Sequence, residues 1–157
     1  MKLLLYVADE FKTLEGGKTL AVGLFTDRVV VLNVPRDAPS PTAELPYGIP
    51  LGLLACLIDV PKTELAGSAT IQPPSGATVM RVPSVLVKPA TVGGSANVVF
   101  RLDPFLMTGE GIYTLALELE GESLSETFEL RVKRTDDPAA KVAFMQQIEQ
   151  PERQTGA

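Results

Sequence analysis

The sequence predicts an all-β protein, an antiparallel β-sandwich of about eight or nine short strands followed by a short C-terminal helix or tail. Three observations carry that expectation. Apolar segments of strand length recur along the chain, several with a period of two. The 13 Pro and 13 Gly are spread between those segments, where they act as turn residues. No helical period of any length occurs before Pro138, and there is no alternation of strand and helix patterns that would build a parallel sheet. At 157 residues the chain fits one domain, with boundaries expected at residues 1–134 for the sandwich and 135–157 for the tail.

In chain order, Leu3 to Ala8 forms the first expected strand. It runs into Asp9-Glu10 and is shorter than the roughly 7–15 apolar residues of a secretory signal core. Glu15-Gly16-Gly17-Lys18 reads as a turn, because paired glycines accept positive φ. Thr19 to Phe25 follows as a strand with Leu20, Val22 and Leu24 on one face, and Gly23 inside it marks a bulge or a close backbone approach. Arg28 to Val34 is rich in β-branched residues and strand-like. Pro35 to Pro50 holds five prolines and is expected to be a long loop. Leu51 to Asp59 is a continuous apolar run, expected to be a strand buried on both faces. Glu64 to Gln72 is a further strand. The segment around Pro83 belongs on an edge, because proline cannot donate to a ladder. Ala96 to Leu102 is a strand, and Asp103 to Glu110 a loop.

Gly111 to Val132 is the most regular stretch. Tyr113, Leu115, Leu117 and Leu119 alternate with polar or small residues, and after Gly121-Glu122 the alternation resumes with Leu124, Phe128, Leu130 and Val132. A two-residue type II′ turn at Gly121-Glu122 places Leu119 opposite Leu124, Leu115 opposite Phe128 and Tyr113 opposite Leu130. The other face carries Thr114, Glu118, Glu120, Ser125, Thr127, Glu129, Arg131 and Lys133. Glu126 breaks the rule, since this register puts a carboxylate on the apolar face. It must reach the rim of the sandwich or sit at a bulge.

The composition excludes several chemistries. There is no His, so Ser-His-Asp and Cys-His catalysis are ruled out, as are the common zinc sites. The single Cys, Cys56, cannot form an internal disulfide and reads as a small core residue. A net charge of −5 without a basic run argues against nucleic acid. The tight basic group Arg131, Lys133 and Arg134 reads as a solvated strand end. No Walker loop, dinucleotide fingerprint or nucleophile elbow occurs. The glutamates at 110, 118, 120, 122, 126 and 129 are close in sequence, but most fall on the solvent face of the hairpin. No cofactor and no metal are expected.

Gly111-Ile112-Tyr113, followed by a last strand over Leu124 to Lys133, resembles the closing pair of strands in immunoglobulin-like bacterial sandwiches. That resemblance implies a tyrosine corner, with the Tyr113 hydroxyl bonded to nearby backbone. Over most of residues 3–133, the opening strand, "EGGKTLAVGLF" and the closing "GIYTLALELEG" are together similar to an uncharacterised family of small bacterial and phage β-sandwich domains. The similarity implies a fold and assigns no activity and no residue roles.

The C-terminal segment changes character. Ala139 to Gln150 has helix formers after Pro138, with Val142, Phe144, Met145 and Ile148 as a short apolar stripe. These four residues, together with Phe105 and Met107 of the loop "DPFLMTGEG", are the candidate partner contacts; the alternative for Phe105 and Met107 is burial at a sandwich corner. The expected function is therefore a non-enzymatic interaction or assembly module, contacting a protein partner or itself, with no nucleic-acid or membrane partner. A cytoplasmic location, with a virion-associated variant of it, and a role as a phage or mobile-element component belong to the same expectation. A small-ligand or carbohydrate-binding sandwich, using Tyr6, Tyr47 and Phe105, is the second reading. A carboxylate-dependent hydrolase is the third.

Overall fold

Nine strands appear among the described residues, 1–76 and 80–139 of a computed structural model: β1 (Lys2–Thr13), β2 (Thr19–Phe25), β3 (Val29–Pro35), β4 (Tyr47–Ile58), β5 (Leu65–Gln72), β6 (Met80–Val87), β7 (Ala96–Met107), β8 (Gly111–Leu119) and β9 (Glu122–Thr135). They form two packed sheets. The four-stranded sheet runs β2-β1-β4-β7, and the five-stranded sheet runs β3-β9-β8-β5-β6. The protein is thus an all-β sandwich. Every pairing is antiparallel except β3 with β9, which is parallel.

The closing hairpin forms β8 and β9, with a shifted turn. Glu120 and Gly121 both have positive φ, 43° and 90°. Two central residues in that region make a type I′ turn, whose twist matches the flanking strands. The turn therefore starts one residue earlier than the sequence predicts. Leu117 pairs with Leu124, Leu115 with Glu126 and Tyr113 with Phe128. The register moves by two residues, an even number, so every side chain stays on its expected face. Tyr113, Leu115, Leu117, Leu119, Phe128 and Leu130 are all buried. Glu126 remains on that apolar face and reaches the rim, where its carboxylate accepts a hydrogen bond from the Arg28 guanidinium at 2.7 Å. No bulge interrupts the ladder there.

The tyrosine corner is present. The Tyr113 hydroxyl donates to the Gly109 carbonyl at 2.7 Å and accepts from the Thr108 N–H at 3.1 Å. Its ring stacks on Phe128 at 5.5 Å, and Phe105 meets both rings edge-on at 5.6 and 5.9 Å. Phe105 comes from β7 in the opposite sheet, so the three rings tie the two sheets together. Offset and edge-on aromatic pairs add about 0.5–1.5 kcal/mol each beyond their buried area.

Two expected loops are partly strand. Asp103 to Glu110 was expected as a loop, yet β7 continues through Met107, with Phe105 opposite Ile49 and Met107 opposite Tyr47. Likewise β4 begins at Tyr47, so Pro50 lies inside a central strand. The register shifts between Ile49 and Leu51, and a bulge is where a strand interior tolerates a residue without an N–H. Pro83 behaves as expected, on the edge strand β6, within a register shift opposite Gly67 and Ala69.

The remaining proline-rich loop is fastened to β9. The Arg134 guanidinium donates to the carbonyls of Arg36 and Ala38 and to the Ser40 hydroxyl, and the Tyr47 hydroxyl donates to the Pro39 carbonyl. Arg134 is exposed at the end of β9, as expected of the basic group, and there it also clamps the loop.

Candidate functional site

The two sheets differ in what their outer faces show to solvent. On the five-stranded sheet, β8 and β9 place Thr114 opposite Thr127, Ala116 opposite Ser125 and Glu118 opposite Ser123, and the exposed apolar residues of its outer face, Ile112, Val31 and Leu86, stand apart, the first two paired with the charged Glu129 and Arg131. This is the ordinary arrangement, with the apolar side inward and the polar side in water.

The four-stranded sheet departs from it. Leu3, Leu5 and Val7 of β1 and Leu53, Ala55 and Leu57 of β4 point into the core. Alternation sends Leu4 and Tyr6, and Leu54 and Cys56, to the outside. The registers bring them together: Leu4 pairs with Cys56, Tyr6 with Leu54, and Leu54 in turn with Val99 of β7. On the other side Leu24 of β2 pairs with Ala8. The outer face is therefore apolar across all four strands. Leu4 and Tyr6 are each 41% exposed and Leu24 is 47% exposed.

One end of this face is covered by the chain itself. Ala8, Phe11 and Leu54 form a second buried cluster, separate from the main core, with Val99 packed against it. The Phe11 ring lies over Gly52, where a Cβ would stand 2.9 Å from a ring carbon. Gly52 is what lets β1 fold its aromatic side chain back onto β4. Beyond Phe11 the face is open among the described residues, and Cys56 is half-buried in it.

Two grooves flank the sheet and meet at Asp9. One, about 610 Å³, is lined by Asp9, Phe25, Val30, Ile49, Pro50 and Lys133 among others. The second, about 730 Å³, is lined by Asp9, Glu10, Phe11, Lys12, Pro50 and Arg101 among others. The Asp9 carboxylate packs against Gly23, whose φ is +70°; a Cβ there would stand 2.2 Å from Asp9 Oδ2. Partial burial raises the Asp9 pKa above its ordinary value.

The expected contact residues fall into two groups. Phe105 and Met107 are fully buried, so neither lines a surface; the corner-burial alternative is where the structure puts them. Their neighbour Leu106 is the one turned outward, at 40% exposure. Val142, Phe144, Met145 and Ile148 lie outside the described residues. Of the aromatic ligand candidates, Tyr47 is 4% exposed and Phe105 is buried, leaving Tyr6 at the surface.

The hairpin carboxylates are engaged individually. Glu110 accepts from the Val132 N–H, Glu118 from the Ser123 hydroxyl, Glu120 pairs with Lys62, and Glu129 with Arg131. The Arg131 contact holds the Glu129 carboxyl below its ordinary pKa. Among the described residues no group of three or more Cys, Asp or Glu side chains converges as a metal site, and no helix is long and apolar enough to cross a membrane.

The open apolar face was not expected, although its signal is in the sequence. "KLLLYVA" and "LGLLACLI" are continuous apolar runs rather than alternating ones. Continuity of that kind means that both faces of a strand are apolar, whatever covers the second. No model of a known protein family matches the chain, and no curated protein is similar to it.

Proposed function

We propose that this chain is a non-enzymatic β-sandwich that serves as an interaction or assembly module, with the outer face of the four-stranded sheet as its contact surface. One observation carries the reading: β1 and β4 are apolar on both sides, and among the described residues only Phe11 folds over the outer side. A soluble monomer gains nothing by leaving Leu4, Tyr6 and Leu24 in water, whereas a covered face returns roughly 25 cal/mol for each Å² removed from solvent. The carboxylates support the non-enzymatic part, since Glu110, Glu118, Glu120, Glu126 and Glu129 are each bound to a separate structural partner.

The test is the double variant Leu4→Lys/Tyr6→Lys in the full chain. Both side chains are substantially exposed, so the fold should survive with little change in Tm. Fluorescence of a hydrophobic dye, measured at high dilution, should fall to a small fraction of the parent's. An undiminished dye signal would place the contact surface elsewhere. An unfolded variant would make this face part of the chain's own core.

A further inference from the structure

We infer that the occupant of this face is a second copy of the same chain, packed sheet on sheet about a two-fold axis. The inference rests on the reading of the outer face as a contact surface and adds the identity of the partner. An apolar sheet face is matched in shape by another sheet face of the same twist, which lies about 10 Å away with strands inclined by roughly 30°. An identical copy supplies such a face, and the resulting isologous contact closes at two subunits.

The area agrees with a dimer. An aromatic side chain carries about 150–250 Å² and a leucine somewhat less. Leu4, Tyr6 and Leu24, at 41–47% exposure, with the half-buried Cys56 and Val99, leave an apolar centre of roughly 300 Å². Exposed Lys2, Asn97 and Arg101 frame that centre. With this polar rim the face offers about 600 Å² per partner, the low end of specific interfaces, in their usual layout of apolar centre and polar border. The centre itself contains no charged side chain, so two copies meet there without an unpaired ion.

Cys56 reports on the contact directly. It is the sole cysteine and lies within the face. Two measurements on the full chain decide the matter: molar mass by light scattering over a wide concentration range, and the rate at which a maleimide labels Cys56 over the same range. A second copy predicts a mass twice the 16.8 kDa of one chain at high concentration. It also predicts labelling that slows severalfold as the mass doubles, and a single mass for Leu4→Lys/Tyr6→Lys. Leu24→Glu, on a different strand of the same face, should weaken the dimer as well and guards against a misfolded double variant. A single mass at every concentration overturns the second copy. In that case a dye signal abolished by Leu4→Lys/Tyr6→Lys keeps the contact face, with another partner, and slow Cys56 labelling assigns the cover to the chain's own residues. A doubled mass that survives both variants also overturns it, because the dimer then uses another surface.

Discussion

At the residue scale, Asp9 is where position and titration meet. Its carboxylate sits against Gly23 at the junction of two grooves, and loss of hydration raises its pKa above 3.8. A raised carboxylate pKa means that the folded state holds its proton more tightly than the unfolded state does. The fold therefore loses stability as pH rises through the ordinary carboxylate range to the folded pKa, and the loss persists at neutral pH. Asp9→Asn removes that titration while keeping the shape. The variant should unfold at a higher urea concentration than the parent at pH 7, and the difference should vanish in acid below the ordinary Asp range. A constant difference across the series, or none at pH 7, contradicts the burial account. The sequence marks Asp9 only as one of several loop carboxylates and does not show its partial burial, because its surroundings come from β2 and β4. Tyr113 and Glu126 were better marked. A Gly-x-Tyr at a strand start and a lone carboxylate in an apolar alternation are local signals, and both outcomes, the corner and the rim, follow from them. Phe105 was less clearly marked, because its three-residue apolar neighbourhood favours burial at a sandwich corner but also fits a patch. Only the arrival of Tyr113 and Phe128 from the facing sheet decides it.

At the scale of elements, the hairpin shows how a wrong turn can leave the right faces. Period-two alternation fixes which side chains point inward, but it is blind to a shift of two residues. The turn breaks the tie, and here Glu120 adopts φ 43° to make a type I′ turn with Gly121. A glutamate in the left-handed region is strained, whereas Asn is favoured there. Glu120→Asn should therefore stabilise the protein by about 0.5–1 kcal/mol, after losing the exposed ion pair with Lys62, which such pairs place at a few tenths of a kcal/mol. The urea midpoint should rise with an unchanged m-value; a fall would show that the Lys62 contact outweighs the backbone strain. Proline-based boundaries were the weaker guide. Pro50 sits inside the central strand β4 and Pro104 inside the edge strand β7, and the single bulge in the β4–β7 ladder absorbs both missing N–H groups. No pattern in the neighbouring residues announces that bulge.

At the scale of the whole molecule, the sandwich handles its two sheets differently. The edge strand β6 carries Pro83 and Arg81, and the edge strand β7 carries Pro104 and Arg101, devices that discourage further strand pairing. The edge strand β2 has neither. Thr19–Phe25 is seven residues without charge or proline, and Leu20, Val22 and Leu24 are 42–47% exposed. The kink at Gly23, with φ +70°, is its one visible protection. Such a segment templates pairing with any extended chain, so heat-induced aggregation should begin at β2. Val22→Lys places a charge at the centre of that edge without touching the buried core. Its Tm should stay within a degree or two of the parent's, since isolated surface changes cost about 0.5 kcal/mol or less. The rate at which light scattering grows on heating should drop severalfold. The variant should also keep the parent's molar mass at low temperature, because Leu4 and Tyr6 of the outer face are untouched. Aggregation at the parent's rate would move the liability from β2 to the open sheet face, and a change of mass would make the edge, rather than the face, the seat of assembly.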